Sequence, residues 1–215
     1  MTEQRHNSLL DHALIQFDQA LRTVWSDHYP ARRQNPGAEH PAGEMDDTQR
    51  RHAAGLMRIN HTGEVCAQAL YFGQFATASD TRVARQMRQA ADEETDHLAW
   101  CAERLDELHA RPSLFNPLWY AGAFALGAAA GAAGDRLSLG FVVETEKQVE
   151  AHLGEHLQQL VPGDARSQAI LEQMRSDEAA HAERARDAGD VVLPSPIRRA
   201  MAAMSATMKW IAYRV

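Results

Sequence analysis

Residues 94–97 read Glu94-Thr-Asp-His97, and residues 178–181 read Glu178-Ala-Ala-His181. On a helix, positions i and i+3 share a face, so each Glu/His pair can aim at one point. Each pair also has a candidate partner upstream. Glu64 precedes Glu94 by 30 residues, and Glu146 precedes Glu178 by 32. At about 1.5 Å per residue, a helix, a turn and the return to the same height take roughly that length of chain. Each half is therefore expected to form a helical hairpin whose lone glutamate faces its own Glu-x-x-His. Two such hairpins bring four carboxylates and two imidazoles together. That is the donor set of a dinuclear metal site in a four-helix bundle.

The spacing carries this reading, because Glu-x-x-His alone is weak. With 15 Glu and 11 His in 215 residues, about one copy is expected by chance. A third copy, Glu3/His6, lies in a polar tail without an upstream Glu and reads as chance. The second lone glutamate has alternatives on the same predicted helix. Glu144 and Glu146 are two apart and point to different faces, whereas Glu146 and Glu150 share one. Glu146 is the preferred ligand, with Glu150 a neighbour or the ligand itself.

The rest of the chain also reads as helices. Leu10, Leu14, Phe17, Leu21, Val24 and Trp25 recur at helical spacing. A loop or linker rich in Pro and Gly follows over 26–47. Asp47 or Thr48 can cap the next helix, which runs to about Ala78. Gly63, beside Glu64, weakens that helix, and a close backbone approach would explain its presence. Further helices are expected over 80–109, 135–160, 164–188 and 197–213, ended by Pro or Gly. No alternating strand pattern or hairpin turn is visible, so the fold class is all-α. The expected organisation is an N-terminal helix and linker over 1–47, a metal-bearing bundle over 48–190 and a C-terminal amphipathic helix over 191–215.

The formal charge of -7 argues against a nucleic-acid footprint. Cys66 and Cys101 form no Cys-x-x-Cys and read as buried free thiols, which suits a reducing compartment. Met1 to Asn7 is polar with no apolar run after it, so no secretory signal is expected. Residues 112–134 carry no charge. Two prolines and many Ala and Gly make a membrane-spanning helix a poor reading. Two readings stand: a core helix packed through small residues, or an apolar surface that dips Phe115, Leu118, Trp119 and Phe124 into lipid. The C-terminal segment carries an Ile197, Met201, Met204, Met208, Ile211 stripe beside Arg198, Arg199, Lys209 and Arg214. It resembles an interfacial helix, with a docking helix as the alternative.

These residues together resemble the Coq7 family of demethoxyubiquinone hydroxylases, carboxylate di-iron monooxygenases of ubiquinone biosynthesis. The resemblance runs from about Leu9 to the C-terminus. It rests on Arg58–Glu64 (Arg-x-Asn-His-x-Gly-Glu), Glu94-Thr-Asp-His97, Val143-Glu144-Thr-Glu146 and Ser176-Asp-Glu178-Ala-Ala-His181. It implies a ferritin-like four-helix bundle with extra N- and C-terminal helices, and two iron ions per chain. The implied ligands are Glu64, Glu94, His97, Glu146, Glu178 and His181. Glu94 and Glu178 would bridge, and Glu64 and Glu146 would be terminal. Each histidine then needs an acceptor for its other ring nitrogen, for which Asp96 and Asp177 are candidates.

The implied reaction is hydroxylation of a demethoxyubiquinone or demethoxyubiquinol ring by O2. The substrate is a polyprenyl quinone or quinol, and the implied place is peripheral on the cytoplasmic face of the cell membrane, or its matrix-side equivalent. No Gly-x-Gly-x-x-Gly follows a strand, so the implied electron source is a reduced substrate, a reductant or a partner protein, other quinone-biosynthesis proteins among the candidates. Two other classes are carried alongside. One is a different ferritin-like di-iron oxidase or peroxidase, though the four-cysteine module of a rubrerythrin is absent. The other is a metal-free helical protein that binds lipid or a membrane partner.

Overall fold

A computed structural model describes residues 8–26 and 28–215. The polar tail with Glu3 and His6 lies outside the described residues. Seven α-helices follow in order: α1 Leu9–Trp25, α2 Asp47–Thr77, α3 Thr81–Glu107, α4 Asn116–Ala132, α5 Asp135–Gln159, α6 Ala165–Asp187 and α7 Ser195–Ala212. A short 3-10 helix, Pro36–Glu39, interrupts the segment between α1 and α2. No strand occurs among the described residues.

The caps explain the helix starts. Asp46 caps α2 and, with Gln49, forms a capping box. Asp80 caps α3 and Asp164 caps α6 through their carboxylates. Gly189, at φ 98°, takes the left-handed turn that releases the chain from α6. α2 packs on α3, and α5 on α6, as two hairpins. Between them lies a core that includes Met57, Phe72, Leu98, Leu139, Leu153 and Met174. Arg104 of α3 is buried and holds the start of α6 through Asp164 at 2.8 Å and Ser167 at 3.0 Å.

Residues 112–134 split between their two readings. α4 lies along α2, and a methyl group added at Gly127 would overlap the Leu70 carbonyl. At Gly73 it would overlap the Phe124 carbonyl. Small residues thus let two backbones touch. The opposite side leaves Leu114, Phe115, Leu118 and Leu126 exposed. No helix among the described residues is long and apolar enough to cross a membrane.

Gly63 departs from expectation. No close approach occurs there, because an added Cβ would meet nothing within 4 Å. The linker is also more than a spacer: its 3-10 helix packs on α6, and Arg32 and Arg33 reach α3. α7 docks on α2 and α5, burying Met208 and Ala212 against Ile59. Its C-terminal end is tied by Tyr213 Oη to His52 Nδ1 at 2.8 Å. Trp210 and Met204 stay exposed, so one helix both docks and presents an apolar face.

Candidate metal centre

α2 supplies Glu64, α3 Glu94 and His97, α5 Glu146, and α6 Glu178 and His181. All six are buried and converge at the middle of the bundle. They form two overlapping groups whose ligand atoms lie within 4.8 Å of one another. One is Glu64, Glu94, His97 and Glu178; the other is Glu94, Glu146, Glu178 and His181. Glu94 and Glu178 belong to both, the position a bridging carboxylate must occupy. His97 Nδ1 lies 2.9 Å from Glu94 and 3.2 Å from Glu178. His181 Nδ1 lies 3.2 Å from Glu94 and 3.4 Å from Glu178. Glu150 is not among them: it stays half-exposed, 3.9 Å from Arg175. Glu144 turns aside to accept from Gln148.

The histidines are oriented crosswise. His97 Nε2, on α3, donates to Asp177 of α6 at 2.9 Å. His181 Nε2, on α6, donates to Glu93 of α3 at 2.8 Å. With Nε2 protonated, each ring turns the lone pair of Nδ1 toward the carboxylates. Asp177 fulfils its expected role, but Asp96 does not. Asp96 sits two residues past Glu94, so it faces away from the cluster, where it accepts from Arg33 Nε at 2.7 Å and the Arg32 amide at 2.6 Å. Arg33 also pairs with Asp177 at 2.7 Å and lies over Trp100. Glu93 and Arg33 have no signal in the Glu-x-x-His spacing itself. Position supplies one for Glu93, which immediately precedes Glu94 as Asp177 precedes Glu178.

The electrostatics fit a cation site. Burial raises Glu64 and Glu146 well above the usual carboxylate range, and the negative charge of Glu178 adds to it. Burial also opposes ionisation of Glu94 and Glu178, but the imidazoles of His97 and His181 override it and hold both below that range. Burial would lower both histidines, yet the surrounding carboxylates raise them. The hydrogen bond from His181 holds Glu93 down at about 2. Glu64 Oε2, Glu94 Oε1, both oxygens of Glu146 and of Glu178, and His181 Nδ1 are buried without a well-formed hydrogen bond. Buried polar atoms in such number call for a partner. A pair of divalent ions meets that need, and the O/N donor set suits iron with open positions.

Because the outer acids fix the rings, Asp177→Asn and Glu93→Gln should each weaken metal retention about tenfold or more. Competition with a metallochromic chelator measures this. Glu103→Gln, an exposed acid on α3 that pairs with Asn35, serves as the control and should retain metal normally.

A cavity of about 320 Å3 lies between α2, α4, α5 and α7, and none of the six cluster residues lines it. Gly63 and Thr145 line it, and each directly precedes a cluster glutamate. Leu118, Trp119 and Met204 form its outer walls. Its volume falls in the roughly 300–1,000 Å3 range of small-molecule sites. Cys66 also lines it as a free thiol that burial pushes up to about 12.

A family model described as ubiquinone biosynthesis protein COQ7 matches residues 51–212. A protein of Xanthomonas euvesicatoria pv. vesicatoria named 3-demethoxyubiquinol 3-hydroxylase is 60% identical over 98% of this chain and 97% of its own. One of the same name from Cupriavidus necator is 57% identical over 96% of this chain and 100% of its own.

Proposed function

Because the chain belongs to the COQ7 ubiquinone biosynthesis family, we propose that it hydroxylates the ring of a demethoxyubiquinol, with two iron ions held at the bundle centre. The observation that carries this reading is the buried meeting of four carboxylates and two imidazoles, with a mostly apolar cavity formed in part by α2 and α5, which also carry Glu64 and Glu146. Glu64 and His97 would hold one ion, Glu146 and His181 the other, and Glu94 and Glu178 would lie between them. Such a pair would supply O2 activation, with one oxygen atom going to the ring and the other leaving as water, the two electrons and two protons for that water coming from a reductant or the quinol itself. The chain's own residues do the rest. Asp177 and Glu93 hold the imidazoles in register. The aliphatic and aromatic walls keep water from the centre, and α4 and α7 flank the path by which a quinol ring enters.

A polyprenyl substrate resides in the bilayer, so the cavity has to open toward lipid. Leu114, Phe115 and Leu118 of the α4 region and Trp210 of α7 are exposed. The two ends are neighbours, since Arg58 binds the carbonyls of both Arg111 and Tyr213. Trp25 of α1 borders the same end beside Leu114. Arg198, Arg199 and Lys209 on α7, with Arg214 just past its end, add positive charge. This face would rest on an anionic membrane surface, as a peripheral contact.

The direct test is aerobic turnover of the iron-loaded protein with a short-chain demethoxyquinol, a reductant and isotopically labelled O2. Mass spectrometry should find one labelled oxygen in the product. Quinol oxidation without oxygen insertion would overturn the reading. Gly63 offers a second check. Since its missing side chain faces open space, Gly63→Leu should fill the cavity wall while strengthening the helix by about 0.5–1 kcal/mol. The variant should bind iron and melt no lower than wild type, yet show a KM for the quinol raised about tenfold or more.

A further inference from the structure

The cavity between α2, α4, α5 and α7 is lined mostly by apolar side chains, and two buried polar atoms in its lining are unpaired. His152 of α5 is 5% exposed, and its Nε2 is buried with no hydrogen-bond partner. Trp119 of α4 likewise has a buried Nε1 without a partner. Both residues line the cavity. Of the other polar side chains there, Thr145 Oγ1 donates to the Phe141 carbonyl and Gln148 Nε2 donates to Glu144, while the Ser205 hydroxyl and the Cys66 thiol complete the lining. An unpaired polar atom in a dry pocket is costly unless a ligand satisfies it.

The protonation of His152 follows from its surroundings. Nε2 is the ring nitrogen left without a partner, and the backbone of Gln148, one helical turn back, favours protonation of the ring, as a carbonyl facing an Nδ1–H would. Burial, with Lys209 nearby, lowers the ring to about 4, so it is neutral under ordinary conditions. The edge of its ring meets His156, 5.1 Å away between centroids, and His156 is itself fixed by Asn60 at 2.8 Å. His152 is therefore a rigid neutral imidazole whose Nε2 lone pair can only accept. Indole Nε1 of Trp119 can only donate.

We propose that His152 Nε2 accepts a hydrogen bond from a ring hydroxyl of the quinol, so that the cavity selects the hydroxylated, reduced ring and orients it. The proposal rests on the reading of the cavity as the quinol site. A ring oxygen that carries hydrogen satisfies His152; a quinone carbonyl or an ether oxygen does not. Trp119 complements it by donating to any oxygen acceptor on the same ring. His152 is thus a positioning residue for the substrate's oxidation state.

The test uses the iron(II)-loaded full chain under anaerobic conditions, with a short-chain demethoxyquinol and its 1,4-dimethyl ether, which keeps the ring and its other substituents, is larger by two methyl groups and has no hydroxyl hydrogen. Equilibrium dialysis gives both dissociation constants. The wild type should prefer the quinol. His152→Phe should lose about tenfold in quinol affinity with little change for the ether, collapsing the preference. His152→Gln, whose side-chain carbonyl can accept, should recover most of it. Circular dichroism and iron content check that both variants fold and load. An unchanged quinol-to-ether ratio in His152→Phe, or equal loss for both ligands, would overturn the proposal. If the wild type inserts oxygen into the quinol but His152→Phe keeps the preference, this inference fails while the hydroxylase reading stands. If the wild type inserts none, the hydroxylase reading fails on its own, and the binding ratio still decides the role of His152.

Discussion

Glu178→Ala is expected to leave a folded bundle that retains little iron and hydroxylates at least about a thousandfold more slowly, a loss on the order of 4 kcal/mol in transition-state stabilisation. Glu178 lies in both four-residue groups, so its removal strips a ligand from each position at once. Glu64 belongs to only one group, and Glu64→Ala should leave one ion held more firmly than the other. Iron analysis after anaerobic loading and desalting separates the cases. Wild type should give about two irons per chain, a stoichiometry set by the paired ligand groups. Glu150→Ala should resemble wild type, because that side chain stays with Arg175 outside the cluster. Full iron retention in Glu178→Ala, or its loss in Glu150→Ala, would refute the assignment.

The second large effect concerns the membrane. The triple variant Leu114→Ser, Phe115→Ser, Trp210→Ser should bind anionic vesicles about a hundredfold more weakly. Each residue removes on the order of 1 kcal/mol of apolar burial at the lipid boundary. All three are exposed, at 58, 43 and 62%, so the bundle core is untouched and melting should change little. High salt should weaken the wild type only in part, because screening acts on the basic residues and not on the apolar contact. Co-sedimentation with vesicles measures both effects. Undiminished binding by a folded triple variant would move the contact elsewhere, with the exposed stripe of α1 next to be tested. That stripe, Leu10, Leu14, Phe17, Leu21 and Trp25, has the helical spacing of a core face but turns outward. α1 meets the bundle through Ala20, Thr23 and Val24 instead.

What could be read from the sequence followed from periodicity. Helices are counted by their caps and breakers, and an i, i+3 pair tells which residues share a face. That was enough for the two hairpins and for the six inward residues, with Glu146 and Glu150 left as alternatives because both sit on one face. Their separation needed the rotation of α5 against α6, a packing property. Periodicity within one helix also says nothing about what crosses to another. Hence the reach of Glu93 from α3 to His181 is not visible in the spacing, and only its place before Glu94, matching Asp177 before Glu178, marks it. Arg33 was hidden for a different reason: Pro- and Gly-rich composition marks a segment as irregular without saying whether charged side chains fasten it down. Gly63 departs from the expected close approach because a helical glycine can signal either contact or empty space, and only the neighbouring helices decide between them.

The crosswise pairing of His97 with Asp177 and His181 with Glu93 bears on how the protein is made. Synthesis delivers α2 and α3 first, with Glu64, Glu94 and His97 but without the acid that fixes His97. A nascent half-chain offers three unaligned donors, a poor trap for any metal ion it meets. Only when α6 arrives and the second hairpin closes on the first do the rings lock and the remaining donors appear. Loading would thereby be deferred until the chain is nearly complete. A strongly binding ion of the wrong kind has little to hold onto during translation, and selection among metals falls to the finished bundle, where geometry can act.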